Sequence, residues 1–482
     1  MPTMESWDDC PPGIVGDLAR YIFDQAPRPV REIALAGSLA FLSGIVGRQF
    51  NVSGTGLNSY IMLIAPTGTG KEAVNQGISK LASSIEPIAP KIREHIGPGE
   101  IRSDAALLKQ FARSKCFLTI SGEVGLLIKR MSGPRANPND LGLKRVLLDL
   151  YNKSGHGNML NPMVYSDSAK STDGIEAPAF SFFGESTPER FFEALDETMV
   201  SDGLLPRFII IEYTGDRPSL NAKAPFAQPS DELIQRVASL SAKVNELELF
   251  NKVSNVAFDP WAERLFRDFD LYCDDQIRGS KEVYRQIWNR SHLKAMKLAA
   301  LVAVGINWEA PVIGQKAAEW GINLIKSDAE NLIGRFERGE VGDLSGNEIA
   351  QQDRVRAVMR ECLERPYDEI AKTYGGTAEM HATGLVTHQY LQRRLLTLPM
   401  FKHDPIKATP ALKRAIESLA NNSEIEFLSR TNCKQIFGHT FVCYRFAEYS
   451  KNNFVEEAKN RTFFQPDIGK LVRTDMKEGR GL

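Results

Sequence analysis

The residues best suited to chemistry lie in Tyr60-Ile61-Met62-Leu63-Ile64-Ala65-Pro66-Thr67-Gly68-Thr69-Gly70-Lys71-Glu72, an apolar run that enters a glycine-rich turn. A helical pattern through Ala73, Ile78 and Leu81 follows. Such a turn lets successive backbone N–H groups converge on phosphate oxygens, and the start of the helix adds its partial positive charge. Lys71 supplies a full charge to the β and γ phosphates. Pro66, Thr67, Gly68, Thr69, Gly70, Lys71, Glu72 and Ala73 are therefore read as the cradle of a nucleoside triphosphate, with ATP preferred. Ala65 stands where the first glycine of the P-loop pattern belongs, and Glu72 where a hydroxyl usually holds magnesium. Ala65 is tolerated if φ there stays negative. Glu72 becomes the candidate ligand for Mg2+, directly or through water. The same stretch also fits the dinucleotide fingerprint G-x-G-x-x-G/A, with Glu86 near the acidic offset. However, Glu86 precedes Pro87 and Pro90 rather than ending a second strand, and a lysine inside the turn suits a terminal phosphate better.

Three later segments supply the other parts of a hydrolytic site. Cys116–Ser121 is apolar and leads through Gly122 to Glu123, a candidate general base for an attacking water. The plain alternative is that Glu123 caps the helix predicted over Val124–Met131. Ala179–Phe183 runs into Gly184-Glu185-Ser186-Thr187-Pro188, where Glu185, Ser186 and Thr187 are candidate sensors of the γ-phosphate. Ser186 and Thr187 also suit a helix cap. Gly184-Glu185-Ser186 resembles a nucleophile elbow too, but Pro188 replaces its trailing glycine, which argues against a serine hydrolase. Arg207, behind Gly203-Leu204-Leu205-Pro206 and before the strand Phe208–Tyr213, is a candidate arginine finger for a neighbouring subunit's nucleotide. Arg290 is a second candidate for that role, and a surface salt bridge is the alternative for Arg207.

These motifs occur in a recognisable order. Pro11-Pro12-Gly13, Ala26-Pro27-Arg28-Pro29, the Ala65–Glu72 turn, Ser121-Gly122-Glu123, Leu147-Leu148-Asp149-Leu150-Tyr151 and Gly203-Leu204-Leu205-Pro206-Arg207-Phe208 follow one another along the chain. Over residues 11–310 this pattern resembles the phage and prophage family of RecA-like P-loop ATPases, described as replicative helicase- or primase-helicase-like. The resemblance implies a ring-forming motor, hexameric, that uses ATP and Mg2+ to act on DNA in phage-type replication. Gly122 departs from the Asp-Glu pair usual there. Thr67–Glu72 is also similar to the phosphate loop of the sigma-54 activator ATPases, in which the same glutamate is compatible with hydrolysis. No primase zinc cysteines are present, so a helicase without priming is the preferred version. An initiator, loader or regulatory ATPase that remodels a protein partner at DNA is a second reading. A non-hydrolysing nucleotide-dependent assembly protein is a third, which the Gly122 and Glu72 departures suit.

The elements that must position these groups can be read from the same chain. At roughly 150 residues per domain, 482 residues make about three folding units. Hydrophobic residues at 43% and charged residues at 25% exclude wholesale disorder. Apolar runs alternate with helical stretches between residues 60 and 220, the mark of a parallel sheet covered by helices. The expected fold is thus an α/β, RecA-like P-loop core with helical flanks and a C-terminal winged helix. Its segments are a helical 1–50, the core 51–220, a helical 221–345, the winged helix 346–450 and a flexible tail 451–482. In the winged helix, Asp353–Glu364, Tyr390–Leu398 and Ala411–Ala420 read as helices. Glu424–Leu428 and Thr440–Phe446 read as a hairpin turning through Asn432 to Gly438.

Charge and cysteine usage bound the partners. Ile33–Gly47 is too short to span a bilayer and reads as a core helix, and no basic-apolar signal segment opens the sequence, so a cytoplasmic setting in a bacterial host is expected. Lys and Arg number 59 against 60 Asp and Glu, so a DNA partner must be sought in local charge. One candidate is the basic loop from Lys129 through Arg130 and Arg135 to Lys144 and Arg145, placed to line a channel for single strands. The other is the stretch 387–450, with nine cations against five carboxylates. There a helix through Lys413 and Arg414 and a wing near Lys434 are candidates to grip a duplex. The six cysteines are scattered without CxxC, and the seven histidines show no HxxxH spacing, so neither a disulfide framework nor a zinc site is encoded.

Overall fold

A computed structural model describes residues 6–132, 136–162, 171, 173–195, 199–200, 202–338, 341, 348–402, 404 and 406–447. The expected tail over 451–482 and the candidate Arg135 lie outside the described residues. The chain is mixed α/β with a parallel sheet and divides into two compact units, 1–334 and 335–482. The segments read separately as 1–50, 51–220 and most of 221–345 pack together in the first unit. Among the described residues, no helix is long and apolar enough to cross a membrane.

The main sheet has four parallel strands: β1 (Tyr60–Ile64), β2 (Cys116–Ser121), β3 (Ala179–Ser186) and β4 (Phe208–Glu212). Their order is β2-β3-β1-β4, so β3 is inserted between the strand of the glycine-rich turn and the strand that leads to Glu123. Every residue of β1 and β3 is buried, as expected of central strands covered on both faces. Aromatic side chains fill one layer of this core: Tyr60 meets Tyr151, Phe180 and Phe208, and Phe180 meets Phe117.

The N-terminal residues complete the core. The predicted Ile33–Gly47 helix spans Arg31–Val46, and its residues are buried around almost the whole circumference. That explains why it is apolar on every side. It lies so close to β2 that a Cβ on Gly44 would sit 2.7 Å from Leu118 Cβ, and Cys116 Sγ donates to the Gly44 carbonyl at 3.1 Å. A larger residue at position 44 would lever the helix off the sheet, at a cost of about 1–3 kcal/mol.

The second unit gathers its own core from Val355, Tyr374, Leu391, Phe401, Leu412 and Leu419. The predicted helices are present as Glu348–Glu364, His388–Leu395 and Ala408–Asn421. A three-stranded antiparallel sheet has the order Val386–Thr387, Cys443–Phe446, Ile425–Leu428. The expected hairpin turn from Asn432 to Gly438 is corrected: an α-helix, Arg430–Phe437, joins the two strands. The Ser429 hydroxyl caps its start by accepting from Asn432 N, and Gly438 ends it in a left-handed conformation at φ 75°. Asn432 and Gly438 look like turn residues, but the first is inside the helix and the second stops it.

One buried group gives the first unit a pH signature. Lys297 sits beneath the amino ends of the strands with 1% exposure, its ammonium donating to the Asn58 carbonyl at 3.1 Å and to Asn58 Oδ1 at 2.8 Å. Burial lowers its pKa to about 7. Above that pH the unfolded chain retains a proton that the folded chain has released, so stability rises with pH until the ordinary lysine range is passed. Chemical denaturation at about pH 7 and about pH 10 should show this rise in the natural protein and a flatter dependence in Lys297→Met.

Candidate functional site

The parallel arrangement puts all carboxyl ends of the strands on one edge, where open α/β sheets bind ligands at a switch in strand order. Here the chain leaves β1 toward β2, returns to β3 and then crosses to β4, so the switch lies at β1. The glycine-rich turn, Glu123, Glu185 to Thr187 and the segment after β4 all leave the sheet at this edge.

The turn is built as its residue types require. Its left-handed positions are Gly68 at φ 80° and Gly70 at φ 83°. A side chain at Gly70 is doubly excluded, because a Cβ there would lie 2.4 Å from the Arg28 carbonyl oxygen. Thr69 is buried and donates its hydroxyl to the Pro66 carbonyl at 2.7 Å, bracing the loop from within. Ala65 N donates to the Ser186 carbonyl at 3.1 Å, which ties the start of the loop to the tip of β3. The helix Ala73–Ile85 begins directly after Glu72, whose side chain is exposed.

Lys71 folds back over the loop: its ammonium donates to the Ala65 carbonyl at 2.7 Å and to the Ser186 carbonyl at 3.3 Å. Partial burial lowers its pKa, opposed by the charges of Glu185, Glu123 and Glu189. Glu185 is 6% exposed, and burial pushes its carboxyl up to about 7 against the pull of Lys71, with Glu72 and Glu123 adding to the rise. Ser186 Oγ is buried with no hydrogen-bond partner among the described residues. Thr187 stands at the start of the helix Pro188–Ala194 without a side-chain capping bond. Glu123 lies apart in character: its side chain is 46% exposed and pairs with Arg190 Nη1 at 3.0 Å.

Two rival readings of these residues lose their supports. The dinucleotide reading needs a second strand ending in an acid, but Glu86 ends the Ala73–Ile85 helix and pairs with Arg93 at 3.0 Å. A nucleophilic Ser186 needs a hydrogen-bonded base, and its hydroxyl has none.

Arg207 is a correction. It precedes β4 and therefore sits at the amino end of the sheet, opposite the glycine-rich turn, since Phe208 is level with Tyr60. It is buried, donates Nη1 to the Gly203 carbonyl and faces the Tyr151 ring at 5.9 Å. A finger has to be exposed to reach another subunit, and this guanidinium is spent inside its own. Burial lowers the Arg207 pKa and the charge of the half-buried Arg290 adds to it, so Arg290 belongs to the same end of the sheet.

Residues not singled out in the sequence complete the candidate site at this edge. Arg190 follows β3 by one turn of helix and holds Glu123. Arg217 is exposed just beyond β4, with Nε donating to the Gly68 carbonyl at 3.2 Å. Its signal was available: it follows a strand whose carboxyl end faces the loop. The Ala26-Pro27-Arg28-Pro29 stretch, one of the motifs whose order carries the resemblance, backs the turn. Arg28 lays its carbonyl on Gly70 and donates Nη1 to the Pro218 carbonyl at 2.7 Å, while Pro27 accepts from Asn221 N at 3.0 Å.

The candidate DNA contacts scatter. Arg130 rims a cavity of about 400 Å3 lined by Leu107, Leu126, Leu143 and Phe182, and approaches Asp140 at 3.7 Å. Lys144 pairs with Asp202, and Arg145 is exposed on the same helix. In the second unit Lys413 is exposed, with Glu417 at 3.9 Å. Arg414 turns inward: Nη2 donates to Gln351 Oε1 at 2.9 Å and to the buried Asp404 Oδ2 at 3.0 Å, and Nη1 approaches Glu348 at 3.3 Å. Arg414 is thus a structural residue, and its assignment as a DNA contact is corrected. Arg414→Ala should lower stability by about 2 kcal/mol, because it removes a guanidinium from the buried Asp404 carboxylate, which also accepts from Gln351 Nε2 at 2.7 Å. Lys413→Ala should stay within about 0.5 kcal/mol of the natural protein. Denaturant unfolding of the two variants measures both. No protein-family model and no curated protein matches the chain.

Proposed function

We propose that this chain is an ATP-hydrolysing enzyme whose phosphate site is the Ala65–Ala73 turn. The observation that carries this reading is the convergence at one sheet edge of left-handed Gly68 and Gly70, the Lys71 ammonium and the carboxylates of Glu185 and Glu123. The loop amides and Lys71 would cradle the phosphates, and Arg217 would add a second cation from the exit of β4.

The donor set suits Mg2+ held mainly by phosphate oxygens and water. Among the described residues no cluster of three carboxylate, histidine or cysteine ligands forms a cage. Magnesium in such sites commonly takes only one or two carboxylates. Glu72, exposed at the start of the helix, is the residue to supply one. Bound there, Mg2+ would neutralise phosphate charge.

The motif order that resembles phage-type replication ATPases extends the reading to a DNA motor working as a ring of copies, with a hexamer implied, in the bacterial cytoplasm. Local charge supports it: Arg145, Lys413, Arg430 and Lys434 are exposed cations. The DNA-facing surface of the second unit, read as a winged helix, would then centre on Lys413, Arg430 and Lys434 rather than on Arg414. Any trans-acting arginine would come from a residue other than Arg207.

The test is steady-state ATP turnover by the purified protein with and without single-stranded DNA. Turnover should be present and rise with DNA, and Lys71→Ala should reduce it on the order of a hundred-fold or more. Arg217→Ala should raise KM for ATP about ten-fold, equivalent to about 1.4 kcal/mol. Turnover that survives Lys71→Ala would remove the assignment of the phosphate loop.

A further inference from the structure

The first unit holds a second concavity, on a different face of the sheet from the core helix. Successive side chains of a strand point to opposite faces. Leu118 packs on the core helix at Gly44, so Thr119 points the other way, into a cavity of about 400 Å3. The cavity lies between β2 and β3 and the helices Val124–Ser132 and Pro138–Leu150. That volume falls in the range of about 300–1,000 Å3 usual for small-molecule sites.

The interior is apolar, built from the buried side chains of Leu107, Leu143, Leu147, Phe180 and Phe182. One polar group breaks this lining. Thr119 is level with Phe182 in the parallel pairing of β2 and β3 and shares its face of the sheet. It is 1% exposed, and its hydroxyl has no hydrogen-bond partner among the described residues. A buried hydroxyl left unpaired is destabilising, and a ligand that pairs with it removes that penalty.

The rim carries three charges, Glu100, Glu123 and Arg130. Two of them are matched: Arg102 holds Glu100 and Arg190 holds Glu123, each at 3.0 Å. Arg130 is half-exposed and meets Asp140 only at 3.7 Å, past hydrogen-bonding distance. Asp140 is itself held by Asn137 Nδ2 at 2.7 Å. Arg130 is thus the rim group with donors to offer, and a guanidinium selects a carboxylate.

We propose that this cavity binds a small hydroxyaryl carboxylic acid. The ring lies among the leucines and phenylalanines, the hydroxyl pairs with Thr119 and the carboxylate with Arg130. A nucleobase fits less well, because its edge carries several donors and acceptors and the buried lining offers one hydroxyl. A purely aliphatic acid leaves Thr119 unpaired. Gly122 and Glu123 form part of the rim, so the bound acid rests against the segment that leads to the candidate site. The inference goes beyond the ATP reading and does not depend on it.

Isothermal titration calorimetry of the full chain with para-hydroxyphenylacetate, phenylacetate and tyramine tests the ring, the hydroxyl and the charge in turn. The same titrations on Thr119→Val, Arg130→Gln and Leu126→Trp locate the site, with circular dichroism to check that each variant folds. Leu126 stands at the mouth and is 54% exposed, so a tryptophan there narrows the opening without entering the core. We expect para-hydroxyphenylacetate to bind with a Kd on the order of 1 mM or tighter. Phenylacetate should bind about five-fold more weakly, and tyramine should give no binding heat. Thr119→Val should bind the two acids alike, Arg130→Gln should weaken both about ten-fold, and Leu126→Trp should bind neither. The inference is overturned if the natural protein binds neither acid, if it binds phenylacetate as tightly as the hydroxy acid, or if tyramine matches them. Those comparisons need no variant to fold. It is overturned equally if Thr119→Val keeps the preference for the hydroxyl, or if Leu126→Trp binds unchanged, which places the acid elsewhere.

Discussion

The carboxyl edge of the sheet is arranged around the contact of one ammonium with the tip of β3. Lys71 reaches the Ser186 carbonyl and the start of its own loop, and the loop start is itself tied to Ser186 by Ala65 N. Loop and central strand are therefore one mechanical piece, and Glu185 is carried at a fixed height beside it. The half-dry setting has opposite effects on the two charges. Burial lowers the lysine's pKa and raises the carboxyl's, and each charge opposes the other's shift.

The insertion of β3 between β1 and β2 follows from chain order and has a chemical consequence. Strand order puts Glu185 on the strand beside the loop and Glu123 at the end of the next strand, where it pairs with Arg190 and still acts on the Lys71 charge. No local pattern in the sequence carries strand order, because each apolar run looks alike wherever it is placed.

What could be read in the sequence was what is local. The turn at 65–72, its neighbouring helix, the four apolar strands and the core helix near Ile33–Gly47 are each set by residues within one short window. The contacts that failed to show were long-range. Arg28 and Gly70 meet across more than 40 residues, and Arg217 and Gly68 across 149. Arginine misleads most, since its long chain reads as solvent-facing. In Arg207 and Arg414 the guanidinium folds inward to carbonyls and a buried carboxylate. Charge sums over a stretch such as 387–450 overstate a nucleic-acid surface for the same reason. Arg394, Arg414 and Arg445 there are matched to Glu361, Asp404 and Glu426 within the unit.

The central claim is that the turn after β1 grips a triphosphate. Backbone amides report this directly, because a phosphate accepting from them slows their exchange with solvent. Hydrogen–deuterium exchange, with and without ATP and Mg2+, should show protection concentrated in a peptide covering Thr67–Ala73. NAD should produce none. Unchanged exchange across that peptide at saturating ATP, or protection by NAD in its place, would contradict the account.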